Sequence, residues 1–382
     1  MNGRGKRVDE LDILKAIAII CMVAGHAGAP FTHFIYLFHM AVFFMASGYF
    51  YKDSSSDQIS SVFKVIRKQL MHLWVPFFCC NAVYVLLHNL FLRCYILNAN
   101  PDVADYLAGR TIDVTASYSP AQTIRMILLG MVFGSEEQMF GTGWFLKILF
   151  MISITYTAID FLLKRCFRSH VMAAQLIVSA LLLLMGYALC CREFLSFGIA
   201  QTASYYCLYY MGHVLGACKD RIAGWQKKQY ALTLLASFGI LLILNRAGSI
   251  ELSYGHYENP LYLLVTSLTG WVFLYSISYF LNRLPVFRRP LIFVGRRTLS
   301  VMLIHSLAFK LAEILVIHCY RLPIFCLAVF PNLYGERSAW WLLYTIVGVC
   351  VPLLADTIWR RVRSSVNRVV SLQYRSERND RH

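Results

Sequence analysis

The feature that most constrains this chain is its recurrence of long apolar runs. A run of about 18 residues or more can cross the hydrocarbon core of a bilayer as an α-helix. Ten are present, at roughly 11–29, 32–51, 70–92, 143–163, 170–190, 197–217, 229–245, 259–281, 298–319 and 339–359. A further stretch, Thr123–Phe133, is about 11 residues long and too short to span, so it reads as a re-entrant or interfacial segment. Composition agrees, with 58% of the 382 residues hydrophobic and 15% charged, against about 45–50% and 25% in soluble domains. A cytosolic globule, a disordered chain and a collagen-like chain are excluded. The expected fold class is an all-α polytopic membrane protein.

The net charge of +16 would suggest nucleic acid in a soluble chain, but here it sorts by loop. With the N-terminus in the cytoplasm, 26 of the 36 Lys and Arg fall in cytoplasmic segments, seven in outer loops, and Lys15, Lys147 and Lys310 within spans. Such a bias follows the positive-inside rule, so both termini are expected in the cytoplasm and no nucleic-acid partner is implied. Residues 1–360 read as one membrane domain and 361–382 as a basic, lipid-facing cytoplasmic tail. The first 30 residues have the basic start and Ala27-Gly28-Ala29 of a signal peptide, yet Asp12, Lys15 and His26 interrupt the apolar stretch, which favours an uncleaved first helix. Twelve Cys occur without CxxC spacing, many inside apolar runs. They read as small buried hydrophobes and imply neither a disulfide framework nor a metal site.

Ionisable groups inside a span are costly and mark functional candidates. Lys15 and His26 stand 11 steps apart on the first helix, a net offset of about 20° and a rise of about 16 Å. They share one stripe, Lys15 near the cytoplasmic edge and His26 in the outer third. Asp12 lies on that stripe and can partly neutralise Lys15. Taken singly, Lys15 can equally snorkel to headgroups and His26 be a satisfied interfacial histidine. The second span descends from the outer face, and His39 lies about 9 Å below a start near His33. His26 and His39 thus reach similar depths, where one could serve as a general base or the two could merely share hydrogen bonds. Beyond His39, Phe43–Tyr49 reads as an aromatic stripe with a Ser47-Gly48 packing notch. Trp144 opens the fourth span as an interfacial anchor with Lys147 just inside, and Lys310 with Glu313 reads as a structural ion pair. The outer loop 246–258, with Arg246, Glu251 and His256, is dense in groups that hydrogen-bond polyols.

Taken together these segments resemble the membrane-bound acyltransferase-3 family. The likeness rests on Asp12-Ile-Leu-Lys15, ten residues, then His26; on His39 through Tyr49, similar to H-x-x-x-F-F-x-x-S-G-F/Y; on Gly143–Leu146, similar to a W-F-L segment; and on Leu299–His305, similar to Y-S-x-Y-L-I-H. The opening segments look most like the fucose 4-O-acetylase-like branch. Lys15 stands where an Arg is common, Ala41 where Pro is common, and Leu299-Ser-Val-Met302 departs from the tyrosine-rich motif.

The resemblance implies a multi-pass enzyme of the bacterial cytoplasmic membrane that O-acylates envelope carbohydrate. No cofactor is bound permanently; acetyl-CoA or another acyl-CoA is the co-substrate and an envelope glycan or lipid-linked sugar the acceptor. On this expectation the acyl-CoA approaches Lys15 and Asp12 from the cytoplasm, and its arm runs up the stripe. His26 deprotonates the acceptor hydroxyl or carries the acyl group transiently, and His39 orients it or relays protons. Trp144, Lys147, Arg246, Glu251 and His256 are weaker candidates for holding the acceptor. The alternative is a transporter or flippase of a glycan or small polar solute, its histidines relaying protons.

Overall fold

A computed structural model describes residues 9–104, 106, 112–167, 169–194, 196–333 and 339–379. Arg4, Lys6, Arg7, Arg110, Arg168, Arg337 and Arg381 of the charge pattern lie outside the described residues. The helices are α1 (Asp9–His26), α2 (Thr32–Tyr36), α3 (His39–Tyr49), α4 (Ile59–Gln69), α5 (Val75–Arg93), α6 (Pro120–Met131), α7 (Gly143–Phe167), α8 (Val171–Cys190), α9 (Ile199–Ala217), α10 (Lys219–Ala223), α11 (Lys227–Ala247), α12 (Pro260–Leu281), α13 (Pro285–Gly295), α14 (Thr298–Tyr320) and α15 (Trp340–Asn379). Between α11 and α12 the chain forms an antiparallel hairpin of β1 (Ile250–Glu251) and β2 (His256–Tyr257), turned at Gly255 in the left-handed region.

Among the described residues, seven helices are long and apolar enough to cross a membrane. They are α4 continuing through a π-helical turn into α5, then α7, α8, α11, α12, α14 and the first part of α15. The remaining three apolar runs are helical too, but differently made. α1 carries Asp9, Glu10, Asp12 and Lys15; the run 32–51 breaks at Leu37 and Phe38 into α2 and α3; α9 mixes tyrosines with Gln201, Ser204 and His213. The physical reason is position. Leu14, Ile19, Phe44, Tyr205 and Tyr206 are all fully buried, so α1, α3 and α9 are walled by protein, where polar groups are tolerated if they find partners. The chain is an all-α polytopic membrane protein whose more polar helices occupy the middle.

α3 and α9 pack at backbone distance. A Cβ at Gly48 would strike the Tyr209 carbonyl, and one at Gly212 the Met45 backbone, as expected of small residues that let membrane helices approach closely. The Ser47-Gly48 notch is therefore a packing device. The short stretch 123–133 falls in and just beyond the 12-residue α6, which starts with a Ser119–Gln122 capping box. At 1.5 Å per residue α6 is about 18 Å long, short of a bilayer core. Ion pairs tie the Lys15 end of the fold together: Arg288 with Asp9 (2.7 Å), Arg296 with Asp12 (2.9 Å) and Arg297 with Asp356 (3.0 Å). Deeper in the fold Lys310 pairs with Glu313 at 2.8 Å and donates to the Val329 carbonyl at 2.6 Å, a structural pair as the sequence suggests.

Candidate active site

Three voids lie in a row along α1. At the His26 end is a wide cavity of about 730 Å³. At the Lys15 end is a cavity of about 300 Å³ bordered by Phe43, Phe50, Phe145, Leu146, Thr298 and Met302. Between them is a junction of about 30 Å³. The junction shares His26, Tyr36, Thr142, Trp144, Glu251 and Ser253 with the wide cavity, and Met302 with the Lys15 cavity. The spacing of Lys15 and His26 along one stripe therefore places them in successive voids.

The imidazole that meets His26 is not His39 but His305. His26 Nδ1 lies 2.9 Å from His305 Nε2. His305 is fully buried on α14, and its Nδ1 lies 3.1 Å from the Val301 carbonyl oxygen and 3.0 Å from that of Met302. Carbonyl oxygens only accept, so in the neutral pair His305 Nδ1 carries the proton and its Nε2 accepts one from His26 Nδ1–H. The lone pair of His26 is then left on Nε2, on a half-buried ring that borders both junction and wide cavity. A histidine whose second nitrogen is fixed in this way is oriented as a base. His39 does reach the same junction. The break before α3 lets its Nδ1 donate to Ile35 O at 3.0 Å and its ring pack on Tyr36, so it stands beside the pair rather than within it. The Asn332 amide fixes the end of α1, donating to the His26 carbonyl at 2.5 Å.

Three of the expected acceptor residues line the wide cavity: Trp144, Lys147 and Glu251. Lys147 is paired with Glu136 of the preceding loop. That loop is anchored by Glu137, whose backbone N–H donates to Asn81 Oδ1 (2.9 Å) and whose carboxylate meets His88 Nδ1 (2.8 Å). Burial pushes the Glu136 carboxyl above its ordinary range, against the opposing Lys147 ammonium and the Trp144 backbone N–H. Glu251 is likewise pushed up by burial, while Ser253 donates to it at 2.5 Å. Arg246 and His256 lie elsewhere. Both are exposed, and His256, the cross-strand partner of Glu251 in the hairpin, meets Ser249 at 3.2 Å rather than bordering the cavity. At the other end, Lys15 borders its cavity while pairing with Asp12 at 2.8 Å, and Asp12 also accepts from Arg296.

A family model, that of the acyltransferase-3 family, described as an acyltransferase domain, matches residues 8–357. The chain belongs to this family. It is a membrane acyltransferase, which favours group transfer over the transport alternative. No curated protein and no solved structure matches it.

In this acyltransferase the sequence reading missed His305, Thr142, Asp113, Glu136 and Gln201 as site residues. A signal existed for two of them: His305 closes the late motif, and Thr142 immediately precedes the Gly143–Leu146 segment. Asp113 and Glu136 come from a loop, where no helical period points to a cavity.

Proposed function

We propose that the protein moves an acyl group, acetyl in the first instance, from acyl-CoA entering at the Lys15 end to a hydroxyl of an envelope glycan or lipid-linked sugar in the wide cavity. The observation that carries this reading is the His26–His305 pair, set where two cavities of different size meet. With the thioester carbonyl in the junction and the acceptor hydroxyl in the wide cavity, both reach His26. His26 Nε2 takes the hydroxyl proton as the acceptor oxygen attacks the carbonyl carbon. The C–S bond then breaks, and the CoA sulfur leaves with the proton that His26 held. His305 keeps His26 in the tautomer that can do this, and His39 borders the reacting carbonyl. Lys15 supplies a point charge for donor phosphate. Trp144 offers an apolar face for a sugar ring, and Glu251 and Gln201 offer hydrogen-bonding partners for its hydroxyls. The likeness to the fucose 4-O-acetylase-like branch supports a sugar acceptor, and the charge bias supports donor entry from the cytoplasm.

The test uses membranes containing the full chain and radiolabelled acetyl-CoA. Label is expected to move to membrane glycan with release of free CoA, and His26→Ala, expressed to the same level, to abolish both. Undiminished transfer in that variant would overturn the role of His26, and no transfer from any acyl-CoA by the wild type would overturn the reading itself.

A further inference from the structure

We infer that Met302, with Met40 and Met22, sets the length of acyl group this enzyme accepts, and admits acetyl while rejecting chains of four carbons or more. The inference rests on the proposed function in that the acyl group must occupy the junction to reach His26. Its own support is the geometry of that junction.

The void measures about 30 Å³. That is about a tenth of the Lys15 cavity and less still of the wide one, so the junction is the narrow point of the row, where each added heavy atom of an acyl group meets the wall. Acetyl has three, propionyl four and butyryl five. The aliphatic part of its wall is the three methionines, all nearly fully buried: Met22 at 1%, Met302 at 4% and Met40 at 7% exposure. They come from α1, α14 and α3, so three different helices close on one small space.

Met302 holds the decisive position because it alone, of the residues bordering the junction, also borders the Lys15 cavity. An acyl group arriving from that side passes it. Its backbone is also held in register with the catalytic pair: the Met302 carbonyl accepts from Thr142 Oγ1 at 2.8 Å and lies 3.0 Å from His305 Nδ1. The residue that orients His305 through its carbonyl thus limits the reacting group through its side chain. The unbranched thioether can swing aside for the pantetheine arm and return against a short acyl group, since methionine adapts to irregular space. Truncation of Met302 to Ala removes three heavy atoms, enough to house the two extra carbons of butyryl.

The experiment compares free CoA release from acetyl-, propionyl-, butyryl- and hexanoyl-CoA, using the full-length enzyme in membranes whose glycans supply the acceptor, with His26→Ala membranes as the blank. The wild type is expected to favour acetyl over butyryl by at least tenfold in kcat/KM. Met302→Ala is expected to bring that ratio down by at least tenfold, mainly through faster butyryl turnover. Met40→Ala, on a different helix, should shift it in the same direction and carries the test if the first variant fails to fold. Wild-type enzyme that uses butyryl-CoA as well as acetyl-CoA would overturn the inference, as would folded variants that keep the wild-type ratio. Both of those results leave acyl transfer itself standing, whereas absence of turnover with every donor strikes the proposed function instead.

Discussion

The two cavities that meet at the junction are built from opposite materials. The one at Lys15 is walled by Phe43, Phe50, Leu73, Phe145, Leu146 and Leu149, with Lys15 as a cation at its side. The wide one carries Asp113, Glu136, Lys147, Gln201, Glu251 and Ser253, with Trp144 among them. An apolar bore beside one cation suits a slender, flexible chain that ends in a charged group. A broad bowl in which hydrogen-bonding groups alternate with aromatic rings such as Trp144 and Tyr36 suits a polyol, whose hydroxyls must find partners when they leave water. The difference teaches where the chemistry belongs. Two reactants that need such different surroundings can meet only at the boundary, and His26 stands there.

Damage at the boundary should be the largest effect and should treat the two sides alike. His26→Ala is expected to lower kcat by about 10²–10⁴-fold, the usual range for a general base, while CoA binding measured by calorimetry on the purified enzyme stays within threefold. Loss of CoA binding in a folded variant would instead place His26 in donor recognition. Next in size is His305→Ala, expected to cost about 10–100-fold in kcat, as partners that orient a catalytic histidine usually do. His305→Gln, which offers an amide oxygen to His26 Nδ1–H, should recover part of the loss, a recovery that a purely structural role would not produce.

How much of this was legible in the sequence differs along the same boundary. The stripe on α1 was legible, because helical geometry converts an 11-residue spacing into a shared face without any knowledge of neighbours. The partner of His26 was not. His305 lies 279 residues away, and matching depths along two adjacent spans pointed to His39, whose ring follows the break at Leu37–Phe38 to bind Ile35. The apolar runs were legible as helices, but not the placing of α1, α3 and α9 inside, since hydropathy does not report whether lipid or protein lies next to a helix. In the hairpin, Glu251 and His256 looked equivalent as polyol ligands. Directly opposite each other in β1 and β2, they share a face of the hairpin, and only the bundle packed against it separates them: Glu251 borders the cavity, while His256 stays exposed beside Ser249.

Single-sided damage should be smaller and should separate the two cavities. Lys15→Ala removes a charge that borders only the Lys15 cavity, leaving Asp12 still paired with Arg296 at 2.9 Å. Loss of one charge-assisted contact to phosphate is worth about 1.5–3 kcal/mol, so the donor KM should rise roughly tenfold or more with the acceptor KM unchanged. A matching rise in the acceptor KM would show that the two cavities are not independent.

The smallest effect expected is that of Glu251→Gln, and it tests the wide cavity through pH. Burial holds the Glu251 carboxyl above its ordinary value, so the folded enzyme keeps this proton to a higher pH than the unfolded chain does. At pH below the ordinary glutamate value both states are protonated and the residue is neutral in its effect. As pH rises past that value the unfolded chain ionises first, so the folded state loses stability until its own carboxyl ionises. Gln cannot ionise and has nearly the same shape. Glu251→Gln should therefore leave thermal stability unchanged in acid and raise it at neutral pH, while the acceptor KM rises by a few-fold at neutral pH, where the carboxylate would accept a sugar hydroxyl. The donor KM should not move. A variant that loses stability at neutral pH would show that the Ser253 contact outweighs burial, and one that shifts the donor KM would show that Glu251 reaches through the junction to the other side.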